Sequence, residues 1–484
     1  MLPGIAPQAQ AQPGAAIIYV PDDYPTIQAA VNASSPGDTI VVGDGSYTEN
    51  IAVTRDHLTI KSQNGAGSTI VAAANSSACV FAVNADYVSI TGFTVTGAAG
   101  EFQAGIYLRE SRYCNISNNI ALNSYDGISL EYSYNNTLTN NTAKWNTFDG
   151  ILVALSGNNT LTGNTANEND YLGIRLYFSP PNTLRNNSMN NNLCNFYSWS
   201  WSLSELKQDV DTSNIVDGKP VYLLLDRSDE VIDPSTNAGY LAIINSTRMT
   251  VKDLTINHSG HGVLFAYTNN SRIENVTVYY GKQPFLLFNS SHNTLKNITS
   301  CYGVKDGVRI WFSNDNTLTN CTSNSNLYGV TLFNSTDNIL THSYVVANYF
   351  GIFSQSSEDN VIYLNAVVNN TINVFSEGSS NIWKSPERLV YTCNGSNYTG
   401  YLGNCWSDYR DNCPRAKEID STGVWDTPYT SNGIEDRYPL VRMVDGVVGV
   451  APPGLRELWP LVVAVTIIAV SVYFLWGRKS KKEG

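Results

Sequence analysis

Asp126 and Asp149 stand one repeat apart in this chain of 484 residues, and each directly precedes a glycine. In stacked repeats their carboxylates should lie about one strand spacing apart, where they can share a proton or bind Ca²⁺. Such a pair can perform acid/base chemistry on a polysaccharide. The alternative is that Asp-Gly only opens a strand after a turn. This alternative is the stronger hypothesis, because Asp306-Gly307 repeats the pattern without a stacked aspartate.

Three charged residues in the same repeats complete the candidate catalytic set. Arg109 and Glu131 are predicted to form a neighbouring cross-coil pair, and Arg175 lies two coils beyond Glu131. Together with Asp126 and Asp149, they would give one face of the repeat both carboxylates and cations.

The elements that position these residues come from an internal repeat of about 22 or 23 residues. The segment 136–151 returns at Asn159 and again at Asn316. Each copy contains short alternating apolar and polar runs between turn-forming residues, and none contains a long amphipathic helical pattern. The sequence therefore predicts a parallel β-helix in which each repeat is one coil. The recurring glycine steps are Gly105, Gly127, Gly150, Gly173, Gly262, Gly307, Gly329 and Gly351, with Phe285 in the place between Gly262 and Gly307.

Equivalent asparagines in successive coils are predicted to stack into ladders whose side-chain amides hydrogen-bond from coil to coil. One ladder would contain Asn136, Asn159 and Asn182, and another Asn293, Asn316, Asn338, Asn360 and Asn381. A short helix capped by Thr26, with Ile27, Ala30 and Val31 on one side, is predicted to cover the open end of the first coil.

Composition narrows the function classes. The net charge is −12, charged residues make up 14% of the chain, and Lys and Arg form no cluster before residue 478. The sequence therefore predicts no nucleic-acid binding. The 29 Tyr and 9 Trp fit either a sugar-binding surface or packing on strands, and both interpretations stay open.

The start of the repeat region contains three characteristic runs: Tyr24-Pro-Thr-Ile-Gln-Ala-Ala-Val31, Gly37-Asp-Thr-Ile-Val-Val42 and Gly45-Ser-Tyr-Thr-Glu49. Together with the Asn-Thr-Leu-Thr-Asn-Asn-Thr repeats, they resemble the pectin-lyase-like right-handed β-helices. The resemblance is to the NosD-like, carbohydrate-binding and sugar-hydrolase (CASH) branch. The segments 217–221, 403–409, 426–429 and 436–440 also resemble that branch, and the last two resemble its archaeal cell-surface members. The resemblance covers about residues 17 to 440 and implies the fold, which hosts enzymes, adhesins and scaffolds alike.

The same resemblance implies two metals. A NosD-like protein would handle copper, for which His258 and His261 are the candidate ligands, although five His and four Met form no soft-ligand cluster. In related caps, an Asp-rich stretch that looks like a calcium loop precedes the counterpart of Asp426. Asp420 and Asp426 are therefore the calcium candidates here. The sequence predicts no firm cofactor, with calcium as the alternative.

Two enzyme motifs are matched only in part. Ser259-Gly-His-Gly262 resembles the His-Gly motif of polygalacturonases, and residues 45–49 resemble a pectinesterase motif. Polygalacturonases also need an Asp-Asp pair and an Arg-Ile-Lys motif in the neighbouring coils, and neither appears there. The Gln-Asp-Thr and Asp-Phe-Ile-Phe-Gly motifs of pectinesterases are absent from the sequence. The resemblance therefore supports neither chemistry.

The predicted organisation has six parts. Residues 1–16 would be the end of a signal peptide or a disordered tail, and residues 17–385 the β-helix with an irregular excursion at 197–240. A C-terminal cap (386–445) and a linker (446–457) follow. Residues 458–477 are predicted to form a transmembrane helix, because about 19 uncharged residues span a bilayer core of roughly 30 Å. The basic tail 478–484 would be cytoplasmic and the β-helix extracellular.

Extracellular exposure permits two covalent modifications. Cys405 and Cys413 are the disulfide candidates, since a bond between them would close a short loop. About eighteen Asn-x-Ser/Thr sequons are potential glycan acceptors, although a repeat rich in Asn and Thr also creates sequons by chance. The glycosylation candidates include Asn135, Asn158, Asn245, Asn275, Asn297, Asn334 and Asn397.

We therefore expect a single-pass membrane protein with an extracellular β-helix that serves as a non-catalytic cell-envelope, carbohydrate-binding or adhesion module. The alternative is a polysaccharide lyase, hydrolase or epimerase that acts on acidic or neutral glycans at the Asp126/Asp149 face. A second alternative is a copper-related accessory protein. The expected partners are the membrane and an extracellular polysaccharide or envelope protein.

Overall fold

The computed structural model describes residues 15–444. The predicted linker, transmembrane helix and basic tail lie outside the described residues, as does most of segment 1–16. Within residues 15–444, no helix is both long enough and apolar enough to cross a membrane. The chain divides into two compact units. The N-terminal unit contains the residues up to Asn192 together with Ser198–Asn214, and the C-terminal unit contains Leu193–Tyr197 together with the residues from Ile215 onwards.

The N-terminal unit is a stack of coils whose strands form three parallel sheets, which we name N1, N2 and N3. Sheet N1 contains Ile17–Val20, Thr39–Val42, Thr59–Ser62, Ser89–Thr91, Asn115–Ser117, Thr137–Thr139, Thr160–Thr162, Thr183–Arg185 and Asp209–Val210. Sheet N2 contains Gly45–Thr48, Thr69–Ala72, Thr94–Thr96, Ile120–Leu122, Thr142–Lys144, Thr165–Asn167 and Ser188–Asn190. Sheet N3 contains Ile51–Val53, Phe81–Val83, Ala104–Arg109, Asp126–Glu131, Ile151–Ala154 and Leu172–Tyr177. The strand Cys194–Trp199 includes the boundary between the two units.

The C-terminal unit repeats this plan with sheets C1, C2 and C3. Sheet C1 contains Lys219–Leu225, Tyr240–Ile244, His261–Ala266, Gln283–Phe288, Asp306–Trp311, Tyr328–Phe333, Phe350–Gln355 and Ile372–Glu377. Sheet C2 contains Val231–Ile232, Thr250–Lys252, Arg272–Glu274, Thr294–Lys296, Thr317–Thr319, Ile339–Thr341, Glu358–Tyr363 and Ser380–Ile382. Sheet C3 contains Thr255–Asn257, Thr277–Tyr279, Thr299–Cys301, Thr322–Asn324, Tyr344–Val346, Ala366–Val368 and Cys405–Trp406. The structure is therefore an all-β right-handed parallel β-solenoid, as predicted.

The period-two pattern explains why these short segments form strands. In three successive strands of sheet N1, two of them Thr-Leu-Thr and the third Thr-Leu-Arg, Leu138, Leu161 and Leu184 are fully buried and stack in register. The flanking threonines point to the exterior, as alternation along a strand requires. Each coil thus contributes one or two apolar side chains per strand to a continuous core, and coils stack at roughly 4.8 Å.

The predicted asparagine ladders are present. The Asn136 amide donates to Asn159 Oδ1 at 3.0 Å, and the Asn159 amide donates to Asn182 Oδ1 at 3.0 Å. In the C-terminal unit, side-chain amides connect Asn316, Asn338, Asn360 and Asn381 in the same way, and the Asn293 backbone N–H donates to Asn316 Oδ1. These bonds satisfy polar groups inside the turns, where an unpaired group would be costly.

Further ladders were not predicted from the sequence. One contains Asn119, Asn141, Asn164, Asn187 and Asn214. Serines stack in another file, because the backbone N–H of one coil donates to the serine hydroxyl of the next, as in Ser290, Ser313, Ser335 and Ser357. Buried side-chain amides and hydroxyls therefore satisfy the polar groups inside the turns in both units.

The described residues also contain short helices and antiparallel strand pairs, one of which includes the sheet C1 strand Lys219–Leu225. The helix Ile27–Ala33 has Thr26 as its N-cap, and Ile27, Ala30 and Val31 are buried, as predicted. The other short helices are Leu203–Leu206, Tyr409–Asn412 and the 3-10 turn Pro234–Thr236. The antiparallel pairs are Ile215–Val216 with Lys219–Leu225, Leu389–Cys393 with Ser396–Gly400, and Tyr429–Ser431 with Ile434–Asp436.

The C-terminal cap is organised around the buried carboxylate of Asp436. It accepts hydrogen bonds from the Asn404 backbone N–H at 2.7 Å, the Trp406 indole N–H at 3.0 Å and the Tyr438 backbone N–H at 3.0 Å. A Cβ at Gly403 would lie 1.9 Å from this carboxylate, so no larger residue fits there. Because Cys405–Trp406 pairs with Ala366–Val368, sheet C3 continues beyond residue 385 into the cap.

Candidate functional site

The Asp-Gly steps are the local feature that positions the candidate carboxylates. A Cβ at Gly127 would lie 2.5 Å from the Gly150 carbonyl oxygen and 2.9 Å from Ala143 Cβ, so this position faces the crowded interior. A Cβ at Gly150 would meet the Gly173 carbonyl oxygen at 2.7 Å. Only glycine fits without rearrangement, and the aspartate directly before each glycine lies beside its counterpart in the next coil.

Asp126, Asp149 and Arg175 form one cluster. The Asp149 backbone N–H donates to Asp126 Oδ1 at 3.0 Å, and Arg175 donates to Asp149 Oδ2 at 3.2 Å. Asp126 is 4% exposed and Asp149 is 0% exposed. The Arg175 guanidinium also lies over the Tyr177 ring, 4.4 Å from its centroid. The predicted stacking of the two aspartates is therefore present, although it does not by itself establish a catalytic role.

The electrostatics of the cluster favour one proton on it. Burial, followed by the negative charge of Asp149, raises the pKa of Asp126 well above its ordinary value, and the Asp149 N–H and Arg175 oppose the rise only in part. Two carboxylates this close resist simultaneous ionisation. A protonated acid beside a carboxylate paired with arginine has the charge distribution that general acid/base chemistry needs.

A file of aromatic rings lies next to the aspartates. Tyr125 stacks on Phe148 with a centroid distance of 4.9 Å, and Phe148 stacks on Tyr171 at 4.6 Å. Tyr125 directly precedes Asp126, and Phe148 directly precedes Asp149. Tyr171 directly precedes Leu172, which holds the equivalent position in the next coil. Since parallel stacking covers the ring faces, only edges and terminal faces stay available to a sugar. Of the two interpretations of the aromatic content, packing between coils explains this file.

Arg109 and Glu131 are brought together in register but do not pair with each other. They are neighbours in sheet N3, as predicted. The Arg109 guanidinium lies 3.6 Å from Glu110, whereas Glu131 accepts a hydrogen bond from the Tyr107 hydroxyl. Burial, followed by the hydrogen bond to Glu131, raises the pKa of Tyr107.

Arg175 lies in a different file from Glu131. The register stacks Ser129, Leu152 and Arg175, so the guanidinium reaches Asp149. The five predicted residues therefore form two separate groups.

The C-terminal unit contains a second carboxylate cluster that sequence reasoning did not identify. The Asp306 carboxylate accepts hydrogen bonds from Gln283 at 3.0 Å, Arg309 at 3.2 Å and Thr331 at 2.6 Å. Burial opposes its ionisation, but the charges of Arg309 and Lys305 and the two neutral donors outweigh burial and lower its pKa. The available signal was an arginine two residues after the glycine, which Arg175 and Arg309 share.

The predicted metal ligands do not converge. His258 Nδ1 lies 3.4 Å from Asp217 Oδ2 and its ring stacks on Tyr280 at 5.1 Å. His261 is fully buried, with its ring 4.8 Å from that of Tyr197. In the part of the chain that the structure describes, no group of three or more His, Cys, Asp and Glu residues is placed to hold a metal ion.

Asp420 and Asp426 belong to turns of the cap. Asp420 has a positive φ of 38°. The Asp426 carboxylate accepts the Lys417 backbone N–H at 2.9 Å and the Thr427 hydroxyl at 2.8 Å. The Lys417 N–H, followed by the Thr427 hydroxyl, lowers the pKa of Asp426. The Asp426 carboxylate therefore orders the loop that contains it.

The disulfide between Cys405 and Cys413 stays a prediction, and in this structure the two residues are separate thiols. Cys405 lies in the last strand of sheet C3, whereas Cys413 follows the helix Tyr409–Asn412 and its thiol lies 3.7 Å from the Pro428 carbonyl oxygen. The ordered helix between them gives the two thiols separate surroundings.

The glycosylation candidates lie at the surface of the coils. Asn158, Asn245, Asn275, Asn297 and Asn397 are exposed, and Asn135 and Asn334 are half-buried. All except Asn397 have positive φ angles, between 47° and 59°, which are typical of Asn in tight turns. The sequon asparagine therefore lies outside, while the asparagine after it can belong to a ladder, as in Asn135-Asn136 and Asn158-Asn159.

The fold and site define a parallel β-solenoid with buried amide ladders and carboxylate clusters on its strands. The chain belongs to the NosD family: the model described as periplasmic copper-binding protein (NosD) matches residues 31–206 and 206–411. A cell surface glycoprotein from Methanothermus fervidus is 36% identical over 104 residues, which are 21% of this chain and 16% of that relative's length.

Solved structures with a similar outline share little sequence. The mannuronan C-5 epimerase A-module from Azotobacter vinelandii aligns with a TM-score of 0.33 at 14% identity, covering 73% of this chain and 94% of that chain. The pectate lyase Pel9A aligns with a TM-score of 0.32 at 17% identity, covering 67% of this chain and 78% of that chain. We base no conclusion about function on these two alignments.

The donor set does not fit the copper that the family's description implies. Copper sites use clustered imidazole, thiolate or thioether ligands. Within the described residues, His258 pairs with Asp217, His261 is enclosed beside Tyr197, and Met189 and Met249 are buried in the core. We therefore assign no chemistry to copper in this chain.

Proposed function

We propose that this chain is an extracellular, membrane-anchored β-helix that binds carbohydrate or another envelope component without cleaving it. Membership of the NosD family, the cell surface glycoprotein relative and the exposed sequon asparagines support a surface location. The apolar segment 458–477 supports the anchor, because its length suits a bilayer.

One observation carries the binding proposal. The exterior of sheet N1 presents two parallel files of side-chain hydroxyls in register, Thr137–Thr160–Thr183 and Thr139–Thr162. The coil spacing places these hydroxyls roughly 4.8 Å apart along the stack. A regular array of donors and acceptors on a flat exterior suits the repeating hydroxyls of a polysaccharide.

A binding assay with a cleavage readout tests the proposal. The full chain is incubated with a polysaccharide panel, and both retention and released reducing ends are measured. We expect retention without product release. The double variant Thr137→Val and Thr160→Val should lose retention, because valine keeps the shape of threonine but removes its hydroxyl. Equal retention by this variant and the wild type would argue against sheet N1 as the binding surface.

The second candidate function is polysaccharide cleavage at the Asp126–Asp149 cluster, and the raised pKa of Asp126 beside Asp149 favours it. Against it stands the burial of both carboxylates, which keeps them from a substrate. If cleavage occurs, Asp126→Asn and Asp149→Asn should each abolish product release. Asp253→Asn, which removes an exposed carboxylate elsewhere, should leave product release unchanged.

A further inference from the structure

The exterior of sheet C2 contains an open groove of about 450 Å³. Its lining is positively charged, although the chain as a whole carries a net charge of −12. Two arginines, a histidine and two threonines contribute side chains from three successive coils. We name it the C2 groove and define it by Arg248, Thr250, Asn270, Arg272, His292 and Thr294.

Arg272 lines the groove on the middle one of its three coils, and not all of its N–H donors have a partner. Its Nε donates to the Thr250 hydroxyl at 3.0 Å. The register places Thr250 and Thr294 on either side of it, so no carboxylate lies above or below it in its own file. Among the described residues, its two terminal nitrogens have no hydrogen-bond partner. This planar fork of N–H groups therefore faces the groove and has the geometry of a carboxylate receptor.

Arg248 shows what a satisfied arginine looks like on the same surface. Its Nε and terminal nitrogen donate to the two oxygens of Asp229, both at 2.6 Å. Arg248 therefore lines the groove without a free fork, and the arginine available to a ligand is Arg272.

The charge of the residues around the groove changes from one end of the coil stack to the other. The turn residue two positions before each sheet C2 strand is Arg248, Asn270 and His292 in successive coils. In the next two coils the same position is occupied by aspartates, Asp315 and Asp337. On the opposite side of Arg272, Glu274 stacks between Lys252 and Lys296. Arg248 is paired with Asp229, and His292 Nδ1 lies 3.8 Å from Asp315 Oδ2. Arg272 is therefore the cation that would attract an anionic ligand, and the aspartates beyond His292 would repel it.

We propose that the C2 groove binds a carboxylate-bearing saccharide, with the two terminal nitrogens of Arg272 donating to one carboxylate. Thr294 and Asn270 provide hydroxyl and amide groups for the sugar hydroxyls, and His292 lines the edge of the groove. The buried Thr250 hydroxyl holds the Arg272 side chain in place. The inference rests on the proposed carbohydrate-binding function and adds to it a second surface and the ligand's chemical class, an acidic glycan.

Calorimetric titration of the full chain with tetragalacturonate tests the inference, and its methyl-esterified form serves as the neutral control. We expect the acid form to bind and the ester to bind at least about tenfold more weakly. Arg272→Gln should weaken binding of the acid form by about tenfold or more, which is the usual worth of a charge-assisted fork. Arg272→Lys should recover part of the loss, because it restores the charge without the fork.

Arg112→Gln is the matched control, since it removes an exposed arginine from the N-terminal unit and changes the net charge equally. We expect it to leave binding within about twofold of the wild type, because Arg112 does not line the groove. An unchanged unfolding midpoint in Arg272→Gln shows that the variant is folded. Equal affinity for the acid and the ester, or equal loss of affinity in Arg272→Gln and Arg112→Gln, would contradict the proposal that the C2 groove binds an acidic saccharide. If the polysaccharide panel then still gives retention, the proposed function stands without it.

Discussion

The two units bury an aspartate at the same place in the repeat and give it opposite protonation preferences. In the N-terminal unit the aspartate after Asp126 in the stack is Asp149, and its charge adds to burial in raising the pKa of Asp126. In the C-terminal unit Asp306 receives donors from Gln283, Arg309 and Thr331, and its pKa is lowered. The Asp-Gly step fixes position only, and the residues in the adjacent coils decide whether the carboxylate holds its proton.

The largest difference between the two clusters is expected in the free energy of unfolding when the arginine of each cluster, Arg309 or Arg175, is replaced. Arg309→Met leaves the ionised Asp306 buried, so we expect a loss of about 3 kcal/mol in the free energy of unfolding. Arg175→Met should cost less, since the Asp126–Asp149 pair can take up a proton and shed its charge. Denaturant unfolding at neutral pH measures both variants. Equal losses would mean that the pair does not buffer its own charge.

Replacing each aspartate by asparagine should change stability in opposite directions. Asp306→Asn removes the charge that Arg309 and Lys305 neutralise, and we expect a loss of about 2 kcal/mol. Asp126→Asn removes the free-energy cost of keeping a buried carboxyl protonated at neutral pH, while its side-chain oxygen still accepts the Asp149 N–H. We therefore expect a gain in the free energy of unfolding, on the order of 1 kcal/mol as for other single substitutions. Thermal unfolding of the two variants decides, and a loss in both would contradict the assigned protonation of Asp126.

The pH dependence of the folding stability should also differ between the two clusters, with opposite signs for Asp126 and Asp306. Because the pKa of Asp126 is raised in the folded state, the folded protein holds this proton more tightly than the unfolded chain does. Its contribution to stability should therefore fall as the pH rises from about 4 through the folded pKa. Because the pKa of Asp306 is lowered, its contribution is present above about pH 4 and is lost as the pH falls through the folded pKa.

Unfolding midpoints measured between about pH 3 and pH 8 test these two signs. Asp126→Asn should abolish the first slope and Asp306→Asn the second. A slope that persists in the matching variant belongs to another group.

The smallest effect is expected for an exposed ion pair. Arg248 and Asp229 form a close bidentate pair, but both side chains are 59% exposed. Water and salt screen such pairs. Arg248→Gln should leave the unfolding midpoint unchanged within error, in contrast with Arg309→Met. A measurable shift would show that burial is not what separates the two arginines.

The sequence was sufficient for the architecture because a short repeat contains all the information that stacking needs. The alternation in Thr137-Leu138-Thr139 specifies the inward side chain, and the period specifies what stacks upon it. The same period placed Asp126 beside Asp149. It could not identify the Asn119 file as a second ladder, because asparagine is equally suited to exposed turns.

The partners of the site residues were harder to predict. Arg175 pairs with Asp149 and not with Glu131, because the register places Arg175 above Leu152 and Ser129, two positions along the strand from the file of Glu131, Ala154 and Tyr177. Glu131 instead bonds to Tyr107. Gln283 and Thr331 carry no sequence signal for their contact with Asp306, since a neutral donor on a strand has many equivalent uses.

The amide ladders have a polarity that constrains how such a chain can change in length. In the ladder from Asn136 to Asn182, each side-chain amide donates to the next asparagine along the chain, so the ladder needs an acceptor at its C-terminal end. In the C-terminal unit the amide of Asn365 donates to Asn404, and the backbone N–H of Asn404 donates to the carboxylate of Asp436. Duplication or deletion of a whole coil before Asn404 therefore leaves every ladder amide with an acceptor. Insertion of part of a coil would shift the register, and the stacked side chains would no longer meet their hydrogen-bond partners.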